Sequence, residues 1–138
     1  MNTQLMTLEQ AIERRLAEIR QAEEEHERQI QEEARRRDET ARRAVEWLCQ
    51  YLRETEGIEI GPEDFEKPWT DGSDVINVRF QCRHGVVILN GGIHQSREGF
   101  EIIQGDGRPW RGTSGAVYSK CATFVDAVIY AGGQVPHD

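Results

Sequence analysis

Glycine and proline are absent from Thr7 to Thr55, although the 138-residue chain holds 13 and 4 of them elsewhere. Such a stretch favours one continuous helix over a bent-back hairpin, since nothing between Arg35 and Arg43 breaks a helix. Cysteine is scarce as well. Cys49, Cys82 and Cys121 make an odd set without CxxC spacing, which argues against a disulfide framework and fits reduced thiols. No apolar run approaches the ~18 residues that a membrane span needs. No basic-then-apolar export signal opens the chain, so the cytoplasm is the expected compartment. Positive charge is in deficit: 17 Lys and Arg stand against 25 Asp and Glu, a net charge of -8. That balance opposes affinity for nucleic acid or anionic membranes, so neither direct nucleic-acid binding nor membrane binding is expected. It permits docking of an acidic surface onto a basic groove in another protein.

What fills this stretch is mainly Ala, Leu, Ile, Glu, Gln and Arg, the strong helix formers. Thr7-Leu8-Glu9-Gln10 reads as a capping box, with Gln10 reaching back to the cap. Gly57 stands where a left-handed residue would close the helix. About fifty residues at 1.5 Å rise make a helix roughly 70 Å long. A globule of this size cannot bury that length, so part of the helix must stand in solvent or meet a partner. The chain is therefore divided at Gly57: residues 1–56 as a long, charged, coiled-coil-like helix for dimerisation or interaction, and 57–138 as a small α+β domain.

In the second part the pattern alternates. Ile76, Val78, Phe80 and Cys82 share one parity against Asn77, Arg79 and Gln81, the mark of a half-buried strand. Arg83-His84-Gly85 reads as a turn, and Val86–Leu89 as a strand covered on both faces. Phe100–Gln104 suggests a third strand, and Ile58–Ile60 a short edge strand. Residues 105 to 115 read as a glycine-rich loop. Val117, Cys121, Phe124, Val125 and Val128 fall at helical spacing before Gly132-Gly133. The expected fold class is α+β: the long helix, a small antiparallel sheet, and a C-terminal helix packed on it.

One stripe runs along the long helix at spacings of three and four: Leu8, Ile12, Leu16, Ile19, Glu23, His26, Ile30, Ala34, Arg37 and Ala41, continuing through Ala44, Leu48 and Leu52. It reads alike in both directions about Ile30, with Glu23–Glu25 on one side and Arg35–Arg37 at matching distance on the other. An antiparallel homodimer would set acid against base there, whereas a parallel one would oppose like charges. A solvated helix held by i,i+4 pairs of ~0.2–0.5 kcal/mol each is the competing account.

Catalytic grammar is missing. No GxSxG, HExxH, Walker loop or GxGxxG occurs. Cys82, His84, His94 and Cys121 form the one Cys/His group to weigh as metal ligands, but the spacing is not that of a zinc site, and buried cysteine explains Cys82 and Cys121 better. Glu59, Glu63, Asp64, Glu66, Asp71 and Asp74 read as a solvated acidic loop or as an acidic face for a basic partner, not as a Mg²⁺ site. No cofactor and no metal are expected. Two loops resemble each other: Lys67-Pro68-Trp69 and Arg108-Pro109-Trp110 each pair a base with a rigid proline and an indole. Such residues serve as interface anchors or fold back to plug a small core. The candidate contact residues are Trp69, Trp110, Arg108, Arg111, Glu63, Asp64, Glu66 and Asp71.

These observations point to a non-enzymatic adaptor, regulator or inhibitor that self-associates through its helix. A special case is a small acidic inhibitor of a nucleic-acid enzyme, of the phage anti-defence type, occupying a basic groove. A small enzyme without a recognisable motif is the third class. The helix–strands–helix order also occurs in double-stranded RNA modules, but Lys120 alone is too little positive charge for that role.

Overall fold

A computed structural model of the chain describes residues 4–70 and 74–134. Helix α1 runs over Leu8–Glu56, 49 residues without interruption. Its start is the expected capping box: Thr7 N–H donates to Gln10 Oε1 at 3.0 Å, and Gln10 N–H to Thr7 Oγ1 at 3.2 Å. Its end is Gly57, at φ 67°, whose N–H donates to the Arg53 carbonyl at 3.1 Å. A side chain there would meet no neighbour, so backbone conformation alone favours glycine.

The chain divides into two compact units, residues 1–38 and 39–138. The boundary precedes the Gly57 limit that composition marks. Ala41, Ala44, Val45, Leu48, Cys49 and Leu52 are all buried, so the last turns of α1 belong to the core of the second unit. Residues 4–38 of the first unit are exposed apart from Ala11 and Glu32, which are half-buried.

The second unit carries eight strands: β1 (Trp69–Thr70), β2 (Val75–Asn77), β3 (Arg79–Cys82), β4 (Gly85–Leu89), β5 (Ile93–Ser96), β6 (Gly99–Ile102), β7 (Trp110–Ser114) and β8 (Val117–Cys121). They form two antiparallel sheets of four, ordered β1-β2-β5-β6 and β3-β4-β7-β8. Helix α2 (Phe124–Ala131) follows and packs on β4, β7 and β8. The α+β class stands, and four local readings change.

The alternating run from Asp74 to Cys82 is not one strand. It changes sheet at Val78, which is buried between β2 and β3. Alternation survives because Ile76 and Val78 both point into the core from either side of the corner. Ile58–Ile60 is not a strand. Ile60 is buried, and its carbonyl accepts from Arg53 Nε at 3.0 Å and Nη2 at 2.8 Å. Residues 110–114 are strand β7 instead of loop, and Val117–Cys121 is strand β8 instead of helix. The two pair through the two-residue turn Gly115-Ala116, with Gly115 at φ 63°.

Two glycines let α2 sit close on its sheet. A Cβ on Gly112 would lie 2.4 Å from the Ala127 carbonyl oxygen, and one on Gly85 would strike Thr113 and Ala131 backbone. The start of α2 is fixed by two side chains. Thr123 Oγ1 accepts from Asp126 N–H at 3.1 Å, while Glu56, at the end of α1, accepts from Phe124 N–H at 2.8 Å and Val125 N–H at 3.1 Å. Three orphan donors are thus satisfied, one pair by a residue nearly seventy positions away. Glu56→Ala is expected to lower stability by about 1–2 kcal/mol in urea unfolding, with little change in m-value. A loss below a few tenths would show that water replaces the carboxylate at no cost.

Candidate interaction surfaces

The helix stripe separates into two parts with different fates. Leu8, Ile12, Leu16, Ile19 and Ile30 are exposed, Leu8 at 77%. Glu23, His26, Ala34 and Arg37 are exposed beside them. Ala41 is 6% exposed and belongs to the core, with Ala44, Leu48 and Leu52. Ala41 is therefore corrected from a dimerisation residue to a core residue. The mirror pairing about Ile30 falls with it, since Leu8, Ile12, Leu16 and Ile19 of a second copy would need Leu52, Leu48, Ala44 and Ala41, which are already covered.

Charges on the exposed helix are largely engaged with each other. Arg15–Glu18 (3.3 Å), Arg28–Glu25 (3.0 Å), Arg35–Glu32 (2.8 Å) and Arg37–Glu33 (3.9 Å) all lie at i,i+3 or i,i+4 spacing. The Arg35 hydrogen bond and charge hold the Glu32 carboxyl below its ordinary range. Such pairs support the helix and leave its apolar residues uncovered.

The two indoles have opposite roles. Trp110 is 1% exposed and packs edge-on against Phe124, 4.9 Å between ring centroids. It is a core residue, which corrects its assignment as a contact. Trp69, on β1, is 47% exposed and remains available. Arg108 is exposed, and its N–H donates to Asp106 Oδ1 at 3.0 Å. Arg111 is half-buried, with its guanidinium 5.2 Å from the Tyr118 ring centroid.

The acidic candidates do not form one site. Asp64 accepts from Gly61 N–H at 2.9 Å and so caps the short 3₁₀ turn Pro62–Asp64. Glu66 pairs with Arg79 at 3.2 Å. Glu63 is exposed, and Asp71 lies outside the described residues. Next to Asp64 and Glu59 runs an apolar groove of about 370 Å³, lined chiefly by Ile58, Ile60, Phe80, Phe124, Val128 and Ile129.

The Cys/His group is dispersed. Cys121 is buried on β8, Cys82 is half-buried at the end of β3, and His84 is exposed in the following turn. His94 Nε2 lies 3.0 Å from the Gly91 carbonyl. Among the described residues no three His, Cys, Asp or Glu side chains come together as a metal site. Burial raises the Cys82 thiol pKa and pushes that of Cys49 up to about 11. Both thiols are thus protonated near neutral pH, the reverse of a catalytic setting. In the folded chain Cys82 should be the first thiol to react with iodoacetamide at pH 8.5, more slowly than a free thiol, with Cys49 and Cys121 released by denaturant. Folding holds the Cys49 proton more tightly than the unfolded chain does, so stability should fall from about pH 9 to 11 as the unfolded thiol ionises first.

One surface sets the expected contact residue Arg111 among neighbours that the sequence pattern does not single out. On the face of the second sheet away from α2, Arg79, Ile88, Arg111 and Lys120 stand side by side across four strands, and Gln81, Val86, Thr113 and Tyr118 form the next row. The rows follow from reading 110–114 as a strand, because Arg111 and Thr113 then share a parity opposite to Trp110 and Gly112. The available signal was Gly115 preceding a β-branched and aromatic pair, the grammar of a tight hairpin.

No protein-family model matches the chain, and neither does any curated protein or solved structure. Among the described residues no helix is long and apolar enough to cross a membrane.

Proposed function

We propose that this chain is a non-enzymatic interaction protein that self-associates through the exposed part of α1. The observation that carries the reading is the row Leu8, Ile12, Leu16 and Ile19, four large apolar side chains at helical spacing, all exposed on a helix whose further turns bury their own apolar stripe. An isolated helix gains little from propensity alone and in proteins is held mainly by packing of its apolar face.

Self-association must use only the exposed residues, which moves the antiparallel register. Centring it at Gln21 opposes Leu8 with Ala34, Ile12 with Ile30, Leu16 with His26 and Ile19 with Glu23 of the second copy. The overlap then ends before Ala41. The acidic run Glu23–Glu25 of one copy lies along the stretch between Arg15 and Arg20 of the other. A parallel pair would instead bring Glu23–Glu25 against itself. The layers holding His26 and Glu23 are weak, so a moderate, reversible dimer is expected.

Orientation is tested by mixing Leu8→Cys with Ala34→Cys under mild oxidation. Antiparallel packing in this register gives the mixed disulfide ahead of both homodisulfides. Dominant Leu8→Cys homodisulfide would mean a parallel pair.

A further inference from the structure

The outer row of the second sheet is charged in an uneven way. Arg79 at one end is paired with Glu66 at 3.2 Å, and Lys120 at the other with Asp106 at 3.4 Å. Between them Arg111 has no carboxylate within ion-pair distance among the described residues, and its buried Nε lacks a hydrogen-bond partner. It stands directly opposite Lys120 in the β7–β8 ladder. Like charges facing each other across a ladder cost stability, and a buried guanidinium N–H left unmade costs more. Arg111 is held by the ring of Tyr118, which is itself 60% exposed. Ile88 and Val86 supply apolar surface beside it. α2 covers the other face, where Gly112 and Gly85 let it approach.

We infer that this face is a docking surface for an acidic protein segment that brings one carboxylate to Arg111. A carboxylate matches the fork of a guanidinium, which can receive it through two parallel N–H bonds. Its charge also relieves the opposition of Arg111 and Lys120. A nucleic-acid strand fits less well. It presents a phosphate at every nucleotide and needs several uncompensated cations, whereas two of the three here are already neutralised. The inference rests on the reading of the chain as an interaction protein but not on the helix pairing.

The test is selection of a displayed library of random peptides of about twelve residues on the full chain, repeated on Arg111→Gln, Arg111→Lys and Tyr118→Ala. The expected consensus has a fixed Asp or Glu. Binding of a peptide carrying it should fall at least tenfold in Arg111→Gln and Tyr118→Ala, and by less in Arg111→Lys, which keeps the charge without the fork. Tyr118 is exposed, so its variant serves if Arg111→Gln alters the near-ultraviolet circular dichroism. Selected peptides without an acidic position, or with affinity unchanged in both variants, would overturn the inference. So would oligothymidylate binding to the wild type that is lost in Arg111→Gln, because that would make the face a polyanion track. The sedimentation mass of these variants should equal the wild type's, which separates failure here from failure of the helix pairing.

Discussion

Trp110→Ala should cost about 3–5 kcal/mol of folding stability, the range for deleting a buried indole. Trp110 is fully buried, and its ring meets Phe124 at 4.9 Å. Phe124 in turn meets Phe80 at 5.3 Å and Phe65 at 5.9 Å. One substitution therefore removes the β7 member of an aromatic cluster, centred on Phe124, that joins β7, β3, α2 and the loop after α1. Typical domains hold only about 5–15 kcal/mol in reserve, so the variant should be partly unfolded at 37 °C. Urea unfolding followed by near-ultraviolet circular dichroism measures it. The same change at Trp69, which is half-exposed, should cost less than about 1 kcal/mol. Equal losses at the two positions would contradict the assignment of one indole to the core and the other to the surface.

The second large effect concerns association. Ile12→Glu combined with Leu16→Glu removes two apolar side chains from each copy and places carboxylates in the seam. Each burial of this kind is worth about 1.5–3 kcal/mol, so the dissociation constant should rise more than about 100-fold. Both residues are exposed in the folded chain. Urea unfolding of the core, followed by tryptophan fluorescence at a concentration where the wild type is also monomeric, should therefore keep its midpoint. A drop in that midpoint would mean that the two side chains support the fold directly.

The pair Trp69 and Trp110 shows where sequence reading stops. Both indoles follow a base and a proline, and nothing local separates them. The difference lies in pairing: Trp110 faces Leu89 and Cys121 on neighbouring strands in the middle of its sheet, while Trp69 sits on the edge strand β1. The long helix was legible to the residue because its limits are local chemistry, a capping box at Thr7 and a left-handed glycine at Gly57. Its division between solvent and core was not legible, since Leu8 and Leu48 occupy equivalent places in one stripe and differ only in what the rest of the chain covers. Thr123 and Asp126 carry the cap of α2, but Val117 and Cys121 sit four residues apart, a spacing that strand and helix both allow. The outer row Arg79–Ile88–Arg111–Lys120 depends on the register of four strands, which no single stretch of sequence encodes.

In the proposed dimer the exposed turns of α1 are covered by a second copy of the chain. Sedimentation equilibrium of the wild type across the micromolar range tests it most directly. The mass should rise with concentration to that of two chains and return to one chain in the Ile12→Glu, Leu16→Glu variant. A wild-type mass of one chain at every concentration would contradict it.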